Sequence, residues 1–155
     1  MDYHTTGSTM DWLEIADRKL SSSGLKKGQV RTAVLEILNS QECALSASQI
    51  HHRLQSKRKT ALPSVYRILE ALEELNIVQK VEIGDGLTYY EAVREKGHHH
   101  HLVCDSCGEL KHFEDANLEE SLQGLGKRLS LDISAHEVIL HGECQECSPE
   151  EENKP

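Results

Sequence analysis

No apolar stretch in this chain of 155 residues approaches the ~18 consecutive residues that a membrane-spanning helix needs. The N-terminus also lacks a charged segment followed by an apolar one, so no secretory signal is expected. The expected compartment is the cytoplasm, where thiols stay reduced and paired cysteines are metal ligands before they are disulfides. Neither a His-Glu-x-x-His nor a His-x-Glu…Pro-Cys-x-x-Cys pattern occurs, which argues against a zinc hydrolase or deaminase and, more broadly, against an enzyme. No internal repeat is present.

Hydrophobic residues make up 37% of the chain and charged residues 28%, ordinary values for a soluble globular protein. The length allows one domain or two small ones. A net charge of −9 would by itself argue against nucleic acid, but its distribution reverses that. Residues 18–67 carry ten Lys/Arg against only Glu36 and Glu42, a net of +8. From residue 93 onward six Lys/Arg face fourteen Asp/Glu, a net of −8. A basic first half joined to an acidic second half points to two tasks on one chain.

Apolar periodicity predicts four helices in the first half. The first carries Trp12, Leu13, Ala16 and Leu20 and ends at Ser21-Ser22-Ser23-Gly24. The second runs from about Gln29 to Leu38. Ser46 is of a good N-cap type for a short third helix containing Ile50 and Leu54. Pro63 fits the first turn of a fourth, striped with Val65, Ile68, Leu69, Leu72 and Leu75. Two β-type runs follow, Ile77–Ile83 and Leu87–Ala92, joined by Gly84-Asp85-Gly86. Helices followed by a hairpin make a winged helix-turn-helix, a DNA-binding arrangement. The fold class expected is α+β: a winged-helix domain over residues 1–92, a polar hinge over 93–97, a small α/β domain over 98–147 and a disordered acidic tail over 148–155. In the second domain His98–Cys104 and Leu110–Glu114 read as strands, Leu118 to Leu129 as a helix and Leu131–Leu140 as β-rich.

Cys104 and Cys107 form one Cys-x-x-Cys pair and Cys144 and Cys147 another, with 36 residues between the pairs. Zinc takes four ligands tetrahedrally and thiolates suit it. A two-residue gap lets one turn present both sulfurs to one ion. A structural zinc would tie together the two ends of a domain whose ~50 residues make only a thin core. Cys43 reads as a small buried apolar residue.

His98-His99-His100-His101 leads directly into Cys104. On a strand, His98 and His100 would face one way and His99 and His101 the other, so one run could serve two metal sites. Imidazole suits zinc, iron, nickel and copper alike. His112, Glu119 and His136 are further candidate ligands, with Glu91 and Glu82 on the hairpin.

Taken together, Ser64-Val65-Tyr66-Arg67, the run from His98 to Gly108, and His136 placed eight residues before Cys144-x-x-Cys147 resemble the ferric uptake regulator (Fur) family of metal-dependent transcription factors. The resemblance covers roughly residues 11–147. It implies a homodimer of chains that each carry an N-terminal winged helix and a C-terminal dimerisation domain, with a structural zinc on the four cysteines. It implies a further metal site, which maps onto His98, His100, Glu119 and His136. A sensing site at the joint between domains maps onto His99 and His101, with His112 where the family often has glutamate and Glu91 as the hairpin ligand. An N-terminal histidine ligand of iron sensors falls near Ala44, so Cys43, His51 and His52 are candidate replacements. Zinc sensors often carry a cysteine where this chain has Arg94.

The resemblance further implies a regulator that binds palindromic double-stranded operators as a metal-loaded dimer, with no membrane or small-molecule substrate. The fourth helix would enter the major groove, Tyr66 contacting a base, Arg67 a phosphate or base and Ser64 a phosphate. Lys26, Lys27, Arg31, Lys57, Arg58 and Lys59 would supply salt-sensitive attraction. The histidine-rich ligand set favours zinc over iron as the sensed metal, and hence control of zinc-uptake genes. Iron is the alternative, and a redox-sensing or zinc-tied interaction module is the alternative of another class.

Overall fold

The structure, a computed structural model, describes residues 11–24, 28–94 and 99–148. The chain divides into two compact units, Met1–Glu95 and Lys96–Pro155. No helix among the described residues is long and apolar enough to cross a membrane.

The first unit contains α1 (Trp12–Ser22), α2 (Gln29–Asn39), β1 (Leu45–Ser46), α3 (Ala47–Gln55), α4 (Leu62–Glu74), β2 (Val78–Glu82) and β3 (Thr88–Ala92). Each helix buries one apolar stripe in a common core, where Leu38, Ile50, Leu54, Leu69, Leu72 and Ile77 are at most 2% exposed. Burying each such side chain stabilises the unit by about 1.5–3 kcal/mol before entropy is charged against it. Ser46 starts α3 through a capping box: its hydroxyl accepts from Gln49 N while the Gln49 side chain accepts from Ser46 N. Pro63 lies in the first turn of α4.

β3 is the centre of a three-stranded antiparallel sheet of order β1-β3-β2. The hairpin turn uses Gly84 and Gly86 at φ +88° and +81°, values that favour glycine. Between them Asp85 accepts from Leu87 N at 2.9 Å and from the Tyr89 hydroxyl at 2.6 Å. The wing therefore has a third strand that the sequence reading lacked. With only Leu45 and Ser46 paired to Tyr90 and Tyr89, β1 is too short to show a two-residue period.

The second unit contains β4 (His100–Cys104), β5 (Leu110–Phe113), α5 (Ala116–Leu129) and β6 (Ile139–Gly142). β4 is central, antiparallel to β5 and parallel to β6. Asp115 caps α5 by accepting from Leu118 N at 2.8 Å. The expectation of β structure from Leu131 to Leu140 needs correction, because the strand spans only Ile139–Gly142. Residues 131 and 133 instead close the end of α5. Ser130 turns left-handed at φ 53°, Leu131 N donates to Gly126 O at 2.9 Å, and Ile133 packs where a Cβ on Gly126 would lie, 3.1 Å away. Gly126 thus permits a close chain reversal rather than a strand.

Candidate metal centres and DNA-facing helix

The four cysteines come together in the second unit, with all four Sγ atoms within 4.8 Å of one another. Pairing of β4 with β6 brings this about, because Cys104 aligns with Gly142 and Asp105 N donates to Gly142 O at 2.8 Å. Each pair sits on a turn, with Gly108 N bonded to Cys104 O at 2.8 Å and Cys147 N to Cys144 O at 3.0 Å. Two side-chain links join the turns: His141 Nδ1 lies 2.9 Å from Asp105 Oδ1, and the Ser106 hydroxyl donates to Glu143 at 3.0 Å. The cluster's electrostatics fit a cation. Backbone N–H groups of Cys107 and Cys144 hold the Cys104 thiol down to about 6, whereas bonding with Cys144 and Cys107 pushes Cys147 up. Four crowded thiols cannot all ionise without a positive partner, and a zinc ion is such a partner.

A second group lies where α5 meets β4. His100, wholly buried, presents Nε2 to Glu119 Oε1 at 2.7 Å. His136 Nε2 lies 3.0 Å from the other oxygen of Glu119. Val138 N lies 3.3 Å from His100 Nδ1 on the other side of the ring. The three ligand-type atoms fall within 4.8 Å of one another, a spacing and donor set that suit a divalent ion. His98, the fourth residue assigned to this group, lies outside the described residues.

The opposite face of β4 carries the third cluster. The His99 ring stands 5.2 Å from that of His101 and 5.5 Å from that of His112. His101 and His112 are direct cross-strand partners. In the first unit Glu91 is 5% exposed and accepts a hydrogen bond from Gln79 Nε2. Glu82 is exposed and Cys43 only half-buried. The ring of His51 lies against Thr60 O at 2.6 Å, and Arg94, exposed, reaches Asn39 O at 3.1 Å. Among the described residues, no group of three metal-ligating side chains lies wholly within the first unit.

On α4 the buried stripe is Val65, Leu69 and Leu72, which turns Ser64, Tyr66 and Arg67 outward. Tyr66 is 42% exposed, so it is not a core residue. Lys57, Arg58 and Lys59 are exposed on the turn before α4, where Arg58 donates to Gln29. Arg31 is half-buried on α2, and Lys26 and Lys27 lie outside the described residues. The residues that sequence reasoning missed are Gln79, Asp105, Ser106, His141 and Glu143. None has a spacing signal, and only the strand pairings bring them beside the ligand-type side chains.

Residues 22–141 match the ferric uptake regulator family model. The ferric uptake regulation protein of Bacillus subtilis is 33% identical over 138 residues, covering 86% of this chain and 93% of its own. The solved structure of the Helicobacter pylori ferric uptake regulator, a protein described as having three functional metal binding sites, is similar at a TM-score of 0.80 and 30% identity, covering 90% of this chain and 93% of that one. The Vibrio cholerae regulator is similar at a TM-score of 0.73 and 28% identity, over 83% and 98% of the two chains. The chain therefore belongs to the ferric uptake regulator family of metal-responsive transcription regulators.

Proposed function

We propose that this protein is a cytoplasmic repressor of metal-uptake genes that binds a palindromic operator as a metal-loaded homodimer and has no catalytic activity. The domains proposed are residues 1–92 for DNA binding, 93–97 as hinge and 98–147 for metal binding and dimerisation. The observation that carries this reading is the division of ligands across β4, with His99, His101 and His112 on one face and His100 with Glu119 and His136 on the other.

In this reading Cys104, Cys107, Cys144 and Cys147 hold a structural zinc, and His98, His100, Glu119 and His136 hold an additional ion. His99, His101 and His112, with Glu91 from the first unit, are the sensing ligands. A bound divalent ion would supply a positive centre on these residues, and its ligation would favour a closed, DNA-binding dimer over an open one. A shift from mostly open to mostly closed takes about 5.5 kcal/mol of differential binding. Tyr66, Arg67 and Ser64 then read the major groove, while Arg31, Lys57, Arg58 and Lys59, with Lys26 and Lys27, attract phosphate. The apolar side chains left exposed on the second unit, Leu125, Leu129, Leu131 and Leu140, support pairing through it.

Three imidazoles around the sensing face favour zinc over a harder ion. The names of the relatives, ferric uptake regulators, favour iron, which is the second reading. Anaerobic operator binding decides between them. Restoration by Zn(II) at submicromolar free ion supports zinc, and restoration by Fe(II) alone overturns it. Metal analysis of wild type beside His101→Ala and His136→Ala, paired with operator binding, tests the ligand assignment. If His101→Ala binds DNA as the wild type does, the sensing site fails.

A further inference from the structure

Glu91 is a carboxylate buried on an unusual side of its strand. Its neighbours on β3, Tyr90 and Ala92, belong to the apolar core of the first unit. Side chains alternate along a strand, so Glu91 occupies the sheet face turned away from that core. Glu91 is nevertheless only 5% exposed, and a buried carboxylate is costly unless its oxygens are bonded. Gln79 on β2 is its direct cross-strand partner, and such pairs set their Cβ atoms about 4.5–5.5 Å apart on one face. Across that gap Gln79 Nε2 donates to Glu91 Oε1 at 2.5 Å.

The geometry points to Gln79 as a positioning residue that orients Glu91 as a metal ligand. This rests on the proposed role of Glu91 in the sensing site. A primary amide suits the task better than a cation would. Its N–H fixes the carboxylate plane while adding no charge, so the carboxylate keeps its attraction for a divalent ion. A lysine or arginine at the same place would neutralise the group it orients. An ionised carboxylate has about four lone-pair sites, so the bond from Gln79 is compatible with a metal bond to the same group. Because β2 and β3 are joined by a tight turn, the orienting group is supplied locally and does not depend on how the two units are arranged.

The test is a double-mutant cycle on the full-length protein with its four-cysteine site filled, using Zn(II) competed against a chelator as the probe. Gln79→Met keeps side-chain length but removes the donor. It should weaken the sensing site about 10–100-fold, the usual cost of losing an outer hydrogen-bond partner of a ligand. Metal-free protein should unfold at a somewhat lower temperature, because the buried carboxylate then lacks this donor, while metal-free DNA binding should stay at the wild-type value. Adding Gln79→Met to Glu91→Ala should cause no further loss, since the effect passes through Glu91. Wild-type affinity in Gln79→Met, or the same fold loss persisting in the double variant, would overturn the positioning role alone. Wild-type affinity in Glu91→Ala would overturn the ligand assignment, and the positioning role with it.

Discussion

The Glu119 carboxylate on α5 sits 2.7 Å from Nε2 of His100 on β4. That bond satisfies a wholly buried imidazole, and the second Glu119 oxygen reaches His136 at 3.0 Å. Glu119→Ala should therefore have two separable effects. Removing this partner of the buried His100 should destabilise the second unit by about 1–3 kcal/mol in metal-free protein, read by urea unfolding. Metal analysis should show the loss of one equivalent while the four-cysteine zinc remains.

Removing a cysteine ligand should be more severe. Cys147→Ser opens a closed four-sulfur site, and zinc sites of this kind couple binding free energy to folding. The expected result is loss of one zinc per chain together with loss of the dimer by sedimentation. Far-UV dichroism of the helical first unit should persist, since its core contains none of these residues.

Tyr66 is exposed on α4, so Tyr66→Ala should alter stability by no more than about 0.5 kcal/mol. Operator affinity, in contrast, should fall by about 1–3 kcal/mol, or roughly 5–150-fold. Lys57→Ala should weaken all sequences alike and reduce the slope of log K against log salt by about 1. Fluorescence anisotropy with operator and scrambled duplexes separates the two behaviours.

The chain's one tryptophan reports on the end of the first unit. Trp12 donates from its indole to Ile77 O at 3.3 Å, and the Arg94 guanidinium stands 5.9 Å from its ring centroid. Arg94→Ala should shift Trp12 emission and cost about 0.5–1 kcal/mol of first-unit stability. Unchanged emission would show that the stacking is not populated in solution.

Burial, followed by the bond to Asp85, raises the Tyr89 hydroxyl from 10.0 to about 12. The folded state therefore holds this proton more tightly than the unfolded chain does. The stabilisation is complete below about pH 10 and is lost as pH rises towards 12. Absorbance titration should show one late-ionising tyrosine, absent in Tyr89→Phe, and the wing should weaken over that same window.

The helices were legible because four apolar stripes repeat at the helical period and Ser46 and Pro63 mark two starts. The cysteine cluster was legible for a different reason, since a pair of ligands two residues apart needs only one turn. Elements that depend on distant pairing were not legible. β1 is two residues long and exists only against β3. Leu131 and Ile133 read as strand residues, yet they serve the reversal over Gly126. Asp105 meets His141 only because β4 and β6 run parallel, and nothing in the spacing of Gln79 announces that it faces Glu91.

The alternation along β4 has a consequence for how such a regulator can change. Substituting one histidine alters one centre and leaves its neighbour on the other face intact. A slip of β4 by one residue against β5 and β6 would turn every imidazole to the opposite face. Register in this strand is therefore constrained by two centres at once, whereas composition is constrained by one at a time. Metal preference can drift by point mutation here, but only within a frame that cannot shift.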